Sequence, residues 1–308
     1  MSGALRVLVL GAAGQVGREL QRSIAGMGEV VALDRGAANL AEPEQLREVV
    51  RGVAPDVILN AAAYTAVDRA ETERELAFAV NAEAPRVLAE EARRQGALLV
   101  HYSTDYVFDG SKAGSWVESD ATGPLNVYGA SKLAGEQGIA AVGGRYLIFR
   151  TSWVYGPEGK NFLLTMLRLG RERDRLRVVD DQFGAPTTSM EIADATRSVV
   201  ETVLSGELGA SDTWSGVYHL SCAGSTTWCG FARAIFACGG DLLGGCRPEV
   251  EAIGTVEYPT PARRPLNSVM SSEALFGRFG VRLPGWEAAL DRVLEVLRND
   301  GQVGGRKS

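Results

Sequence analysis

The chain is poor in several residues that would announce a function. Lysine occurs four times among 308 residues, although Lys and Arg together number 32. Histidine occurs twice, as His101 and His219, and cysteine four times, as Cys222, Cys229, Cys238 and Cys246. None of the cysteines forms a C-x-x-C pair, so a structural zinc is not expected and ordinary reduced thiols are. Basic runs are missing and the formal net charge is -6, which argues against a nucleic-acid partner, since that would need a basic face for phosphates. No stretch is apolar for long enough to span a bilayer. The opening "MSGALRVLVLGAAG" lacks a charged leader with a removable apolar segment, because its apolar run passes straight into glycines. A cytoplasmic protein without a membrane partner is the expectation.

What is present is an alternation of short apolar runs with longer helical patterns, the mark of βαβ units building a parallel sheet. "LRVLVL" (5–10), "EVVALD" (29–34), "DVILN" (56–60), "ALLVHYS" (97–103) and "RYLIFR" (145–150) read as buried strands. "GRELQRSIAGMG" reads as the first helix, with further helices over 71–95 and 127–142. The predicted fold class is α/β: a Rossmann-like, doubly wound parallel sheet with a smaller C-terminal substrate-binding lobe. The dinucleotide-binding domain is expected over 1–175 and the lobe mainly over 176–308. "GVYHLS" (216–221) reads as one more buried strand, so 190–222 is expected to return to the first sheet. The tail "NDGQVGGRKS" is expected to fray.

"GAAGQVG" follows the first strand and opens the first helix, the place for a dinucleotide fingerprint. Gly11 permits the tight turn, Gly14 lets backbone approach a pyrophosphate, and Gly17 allows close helix packing. Gln15 and Val16 lie at the helix start, where N–H groups face an anion. Asp34 ends the second strand, about twenty residues on, where its carboxylate can accept from an adenosine ribose and favour NADH. Arg35 follows, and its guanidinium could pair with the 2′-phosphate of NADPH, so use of either coenzyme is expected. At the end of the third strand, Asn60, Ala61, Ala62 and Ala63 place small residues where backbone could run beside the cofactor.

"NVYGASKLAGE" contains Tyr128 and Lys132, four residues apart on one helical face. With eight tyrosines and four lysines, such a pair arises by chance roughly 0.1 times. An adjacent ammonium is expected to lower the phenol's pKa and make Tyr128 a general acid. A carbonyl under reduction also needs a second donor on its oxygen. "HYSTDYVFDG" supplies Ser103 and Thr104 at the carboxyl edge of the sheet, with Thr104 the better placed because strand alternation turns one of the two inward.

In order along the chain, the Gly-rich loop, "STDYVFDG", "LNVYGASKLAGE", "FRTSWVYG", "DQFGAPT" and "YPTPARRP" resemble the dTDP-4-dehydrorhamnose reductases of the extended short-chain dehydrogenase/reductase superfamily. The resemblance runs from about residue 5 to 290. Tyr-x-x-x-Lys is superfamily-wide, whereas "DYVFDG" with "DQFGAPT" and "PTPARRP" is far more specific. The resemblance implies NAD(P)H-dependent reduction of the 4-keto group of dTDP-6-deoxy-L-lyxo-4-hexulose to dTDP-L-rhamnose. It puts Thr104, Tyr128 and Lys132 on the catalytic trio. Val67, Tyr106 and Trp153 would lie near the nicotinamide and sugar, and Gln182, Phe183 and Arg263 toward the nucleotide. Some relatives join two subunits through a metal held by glutamates. Here Glu19 keeps one such position, but Met190 and Val296 occupy the others, and Glu191 and Glu295 are offset by one residue, about 100° around a helix. Magnesium is therefore doubtful, no metal site is expected, and a monomer or weak homodimer is.

Two other readings use the same scaffold. A nucleotide-sugar 4,6-dehydratase or epimerase would hold NAD tightly, but a dehydratase calls for a second carboxylate after the Asp, and Asp105 is followed by Tyr106. A non-catalytic regulatory subunit would bind dinucleotide without needing the Thr104, Tyr128 and Lys132 set.

Overall fold

The computed structural model describes residues 4–304. Five strands, β1 (Arg6–Leu10), β2 (Glu29–Leu33), β3 (Val57–Asn60), β4 (Leu98–Thr104) and β5 (Tyr146–Thr151), are joined by a sixth, Gly216–His219. From that sixth strand the order across the sheet is β5, β4, β3, β1, β2, all parallel. The apolar runs become strands because both faces of a parallel sheet are covered, so no polar alternation is needed. "GVYHLS" does return to the sheet, with Tyr218 opposite Phe149 and His219 opposite Arg150.

The helices between strands are α1 (Gln15–Ser23), α2 (Pro43–Val53), α3 (Val67–Ala70), α4 (Arg74–Phe78), α5 (Ala84–Gln95) and α6 (Val127–Val142). Two expectations need correcting. The helix expected over 71–95 starts only after a break that follows α3, and consists of α4 and α5 joined through a π-turn at Ala79–Glu83. That turn has a structural use. Asn81 within it is fully buried, accepts from the Tyr64 backbone N–H at 2.8 Å and donates to Ser131 Oγ of α6 at 3.0 Å. The first helix begins two residues earlier than read, at Gln15, and ends at Ser23; α2 was not anticipated at all.

Beyond β5 lie α7 (Phe162–Glu172), α8 (Ser189–Leu204) and α9 (Trp228–Cys238), together with a parallel pair formed by Arg175–Val179 and Glu249–Ile253. The last helix, Trp286–Gly304, carries the chain through much of the tail expected to fray. Residues 305–308, and the first three residues of the opening segment, lie outside the described residues. Two apolar clusters sandwich the sheet. One holds Val9, Val100, Phe149 and residues of α8 and α9, the other Leu8, Ile58, Leu99, Ile148 and residues of α2 and α5. No helix among the described residues is long and apolar enough to cross a membrane.

Candidate active site

A cleft of about 730 Å³ opens along the carboxyl edge of the sheet. Its floor is the Gly-rich turn after β1. Gly11 has φ +79, and a Cβ there would stand 2.7 Å from the Ala62 nitrogen. Only glycine fits this conformation at this approach. Gly14 precedes α1 with no side-chain cap on the helix start, leaving the first-turn N–H groups to face the cleft and an anion in it. Gln15, Val16, Asp34, Arg35, Ala61, Ala62 and Ala63 line the same cleft. Gly17 and Asn60 lie behind it: Gly17 packs against the Gly11 carbonyl, and Asn60 is buried with its Oδ1 accepting from Ala62 N at 3.3 Å. Asp34 also closes its own turn, Oδ1 accepting from the Gly36 and Ala37 N–H groups at 2.9 and 3.3 Å. These are the elements a dinucleotide needs: an uncapped helix start, a turn free of side chains, and a carboxylate at the end of β2.

At the far end of the cleft stand Thr104, Tyr128 and Lys132. Thr104 closes β4 and caps the next turn, its Oγ1 accepting from Tyr106 N at 3.2 Å and donating to Asp105 Oδ1 at 2.9 Å. Tyr128 and Lys132 are delivered by α6, whose start is fixed by Asn126: Oδ1 accepts from Gly129 N at 2.8 Å while Nδ2 donates to the Arg263 carbonyl at 2.7 Å. A Cβ at Gly129 would come within 2.2 Å of the Tyr106 carbonyl. Its absence lets α6 sit directly on the turn after β4 and brings the phenol to Thr104. Ser103 also borders the cleft, but its buried hydroxyl finds no partner.

The electrostatics correct one expectation. Tyr128 is half-buried at the cleft wall, and desolvation pushes its phenol up to about 12, with the Thr104 hydroxyl pulling the other way and Asp105 adding to the rise. Lys132 is 1% exposed, and burial lowers its ammonium to about 7 against a modest opposing pull from Glu136. Desolvation disfavours the charged form of each group, phenolate and ammonium alike. The phenol therefore shifts in the direction opposite to that expected from the Tyr-Lys spacing. Asp105 is raised to about 6, chiefly by burial, although Thr104, Ser152 and Ser268 bond to it.

The expected sugar-side residues divide. Val67, Tyr106 and Trp153 line the cleft, with Tyr106 edge-on to Tyr128 at 5.8 Å. Gln182, Phe183 and Arg263 do not. Gln182 is buried and donates to Thr255 Oγ1 at 3.0 Å, Phe183 is exposed, and Arg263 points to solvent. The neighbouring Arg264 instead grips Asp68 through two bonds of 2.9 Å. Among residues the sequence did not single out, Trp228 stacks on Trp153 at 3.6 Å and 6°, and Trp153 itself has φ +46. A bulky residue in that region is strained and marks a site worth the cost. Tyr64, Tyr102 and Lys160 also border the cleft; only tertiary packing brings them there.

Of the acids considered for a metal, Glu19 pairs with Arg22 at 2.6 Å and Glu191 with Arg292 at 2.7 Å. Among the described residues no group of three or more His, Cys, Asp or Glu side chains converges on one point.

Comparison with known proteins now bears on this geometry. The family model described as the RmlD substrate binding domain matches residues 5–299. A dTDP-4-dehydrorhamnose reductase of Burkholderia thailandensis is 52% identical over 289 residues, covering 93% of this chain and 97% of that protein. One from Escherichia coli K12 is 43% identical over 301 residues, covering 95% and 98%. The crystal structure of the Bacillus anthracis dTDP-4-dehydrorhamnose reductase in complex with NADP superposes with a TM-score of 0.87 at 35% identity, covering 95% of this chain and 99% of that one. With the family model spanning nearly its whole length and such relatives matched end to end, the chain belongs to the dTDP-4-dehydrorhamnose reductase family.

Proposed function

We propose that the chain reduces the 4-keto group of dTDP-4-dehydro-L-rhamnose (dTDP-6-deoxy-L-lyxo-4-hexulose) to dTDP-L-rhamnose, using NADPH or NADH. The observation that carries this reading is the meeting, in one cleft, of a side-chain-free turn at a helix start with Thr104, Tyr128 and Lys132. When bound, the reduced nicotinamide supplies the hydride for the carbonyl carbon. Tyr128 then gives its phenolic proton to the carbonyl oxygen. A phenol at about 12 stays protonated across the working range, yet remains acidic enough to protonate an alkoxide, which is more basic still. Thr104 Oγ1 orients that oxygen, and Lys132 holds the nicotinamide ribose and passes a replacement proton toward Tyr128.

Gly11, Gly14, Gln15, Val16 and Ala61 to Ala63 would carry the diphosphate and its surroundings, with Gly17 and Asn60 supporting them from behind. Asp34 and Arg35 would set the balance between NADH and NADPH. Val67, Tyr106 and Trp153 would hold the sugar. Gln182, Phe183 and Arg263 would approach the dTDP from the rim, outside the cleft proper. Residues 1–175, with 190–222, form the dinucleotide-binding half in this reading, and the remainder mainly the substrate lobe. The protein would act in the cytoplasm as a monomer or weak homodimer. Tyr106 stands where a dehydratase would place its second carboxylate, which favours reduction over elimination.

The test is oxidation of NADPH or NADH by the isolated chain, with the keto-sugar made in place by upstream enzymes. Loss of reduced nicotinamide in proportion to sugar consumed is expected. Conversion of the sugar with no net coenzyme loss would support a dehydratase or epimerase instead, and no turnover by the isolated chain a regulatory subunit.

A further inference from the structure

Beneath the cleft runs a buried chain of three polar side chains, of which the reduction just proposed leaves His101 unexplained. Asn60 of β3 and His101 of β4 are register partners in the sheet. Asn60 Nδ2 lies 3.0 Å from His101 Nδ1, and His101 Nε2 lies 3.1 Å from Lys132 Nζ. His101 is wholly buried, and both burial and Lys132 hold its imidazole well below the usual range. It is therefore neutral, with one nitrogen donating and the other accepting.

The proton count along this chain is constrained. Asn60 Oδ1 accepts from the Ala62 N–H, so the amide nitrogen faces His101 and donates to Nδ1. Nδ1 must then be the acceptor, and the ring proton sits on Nε2, aimed at Lys132. An ammonium has no lone pair to receive it, whereas a neutral amine does. To hold an ammonium, His101 must move its proton to Nδ1, which requires the Asn60 amide to turn over and release the Ala62 N–H beside Gly11. The other titratable groups near Lys132 are Glu136, Tyr128 and, through Tyr128, Asp105, which changes charge near pH 6. Glu136, one turn along α6, is locked to Arg150 of β5 by bonds of 3.0 and 2.7 Å. Tyr128 stands one turn earlier, with Asp105 acting on it from the turn after β4. From the π-turn, α6 meets the uncharged Asn81 at Ser131.

We infer that His101 is a positioning residue whose tautomer, set with Asn60, decides whether Lys132 stands as amine or ammonium, and so couples the proton supply of Tyr128 to the Ala62 backbone under the dinucleotide turn. The role rests on the reductase reading for its use, but not for its existence. The ring proton only changes nitrogen; no bond to carbon forms or breaks, and the proton gained by Lys132 comes from solvent.

The test uses the wild-type full chain with ¹⁵N-labelled histidine. The chain has two histidines, and His219 is an internal reference, because its Nδ1 faces the Ser271 carbonyl at 3.1 Å and must carry a proton. His101 is expected as the Nε2–H form at about pH 9 and the Nδ1–H form at about pH 5.5, crossing near neutrality without becoming imidazolium. One unchanged tautomer at both ends, or an imidazolium, overturns the inference. A kinetic arm follows the alkaline limb of kcat for keto-sugar reduction. His101→Met removes the acceptor for the ammonium, so the limb should move down by about one pH unit or more. His101→Gln, whose amide oxygen can accept from it, should hold the limb at or above the wild-type position. Superimposable profiles for wild type and His101→Met also overturn it. Failure of the wild type to reduce the sugar would remove the reductase reading and leave the tautomer result to stand on its own.

Discussion

Replacing Gly11 by Ala separates the cleft's architecture from its chemistry. The new Cβ would lie 2.7 Å from Ala62 N, 2.8 Å from Ala62 Cα and 2.9 Å from Ala61 C, at a φ of +79. Ordinary carbon contacts begin near 3.5 Å, so roughly 0.7 Å must be found by moving main chain. That main chain is tethered: Gly11 N and Ala12 N both donate to the Leu33 carbonyl at 3.0 and 3.1 Å, and Ala61 N to the Leu10 carbonyl at 3.0 Å. A left-handed alanine costs about 1–2 kcal/mol, and an overpacked core contact about 1–3 kcal/mol. Together, about 2–5 kcal/mol corresponds to a fall in Tm of roughly 3–8 °C for a chain of this size. Displacing the turn should also weaken NADPH binding at least tenfold, about 1.4 kcal/mol. Gly14→Ala is the control. Gly14 has φ -76 and its nearest contact would be the Gly11 carbonyl at 3.2 Å, so it should weaken NADPH while leaving Tm within about 2 °C. Thermal melts and fluorescence titration with NADPH read both quantities. A Gly11→Ala variant with wild-type Tm and wild-type affinity would refute the reasoning.

Three further outcomes are expected. Tyr128→Phe should lower kcat about a hundredfold or more while NADPH affinity stays within about twofold in the same titration; full activity would exclude Tyr128 as the proton donor. Asp34→Ala, with Arg35 kept, should raise the NADPH-to-NADH ratio of kcat/KM about tenfold, measured beside a melt because the Gly36 and Ala37 N–H groups lose their acceptor; an unchanged ratio would remove its ribose role. Asp105 titrates at about 6 in the folded protein against 3.8 unfolded, so its contribution to stability is complete below about pH 4 and is lost as pH rises through 6. The loss is of order 3 kcal/mol. Relative to wild type, Asp105→Asn should therefore gain stability between pH 4 and 7 in denaturant melts, and a pH-independent difference would contradict the burial argument.

How far the sequence carried the structure depended on where the controlling forces lie. The strands were legible because "LRVLVL", "DVILN" and "ALLVHYS" are buried on both faces and carry that burial as unbroken apolar runs. The end of "GVYHLS" in the same sheet followed from the same signal. The π-turn was not legible, since its cause is tertiary: Asn81 reaches both Tyr64 and Ser131 only if one residue is inserted into the helix. Trp228 was missed for a similar reason, as its partner Trp153 is distant in the chain. Spacing placed Tyr128 and Lys132 on one face of α6 but said nothing of their burial, which reverses the direction expected for the phenol. In "HYSTDY" the hydroxyls carry the chemistry legible from residue type, while the histidine two residues before Ser103, facing α6 by strand alternation, holds the contact to Lys132.

The Trp153-Trp228 pair has an optical consequence. Two indoles stacked face to face at 3.6 Å and 6° are close enough to couple their transition dipoles, so a far-ultraviolet dichroism couplet that neither ring produces alone is expected. One ring follows β5 and the other begins α9, so parting these elements by even a few ångströms would collapse the signal. The enzyme thus carries its own spectroscopic gauge of the distance between them, readable without a label while ligands come and go.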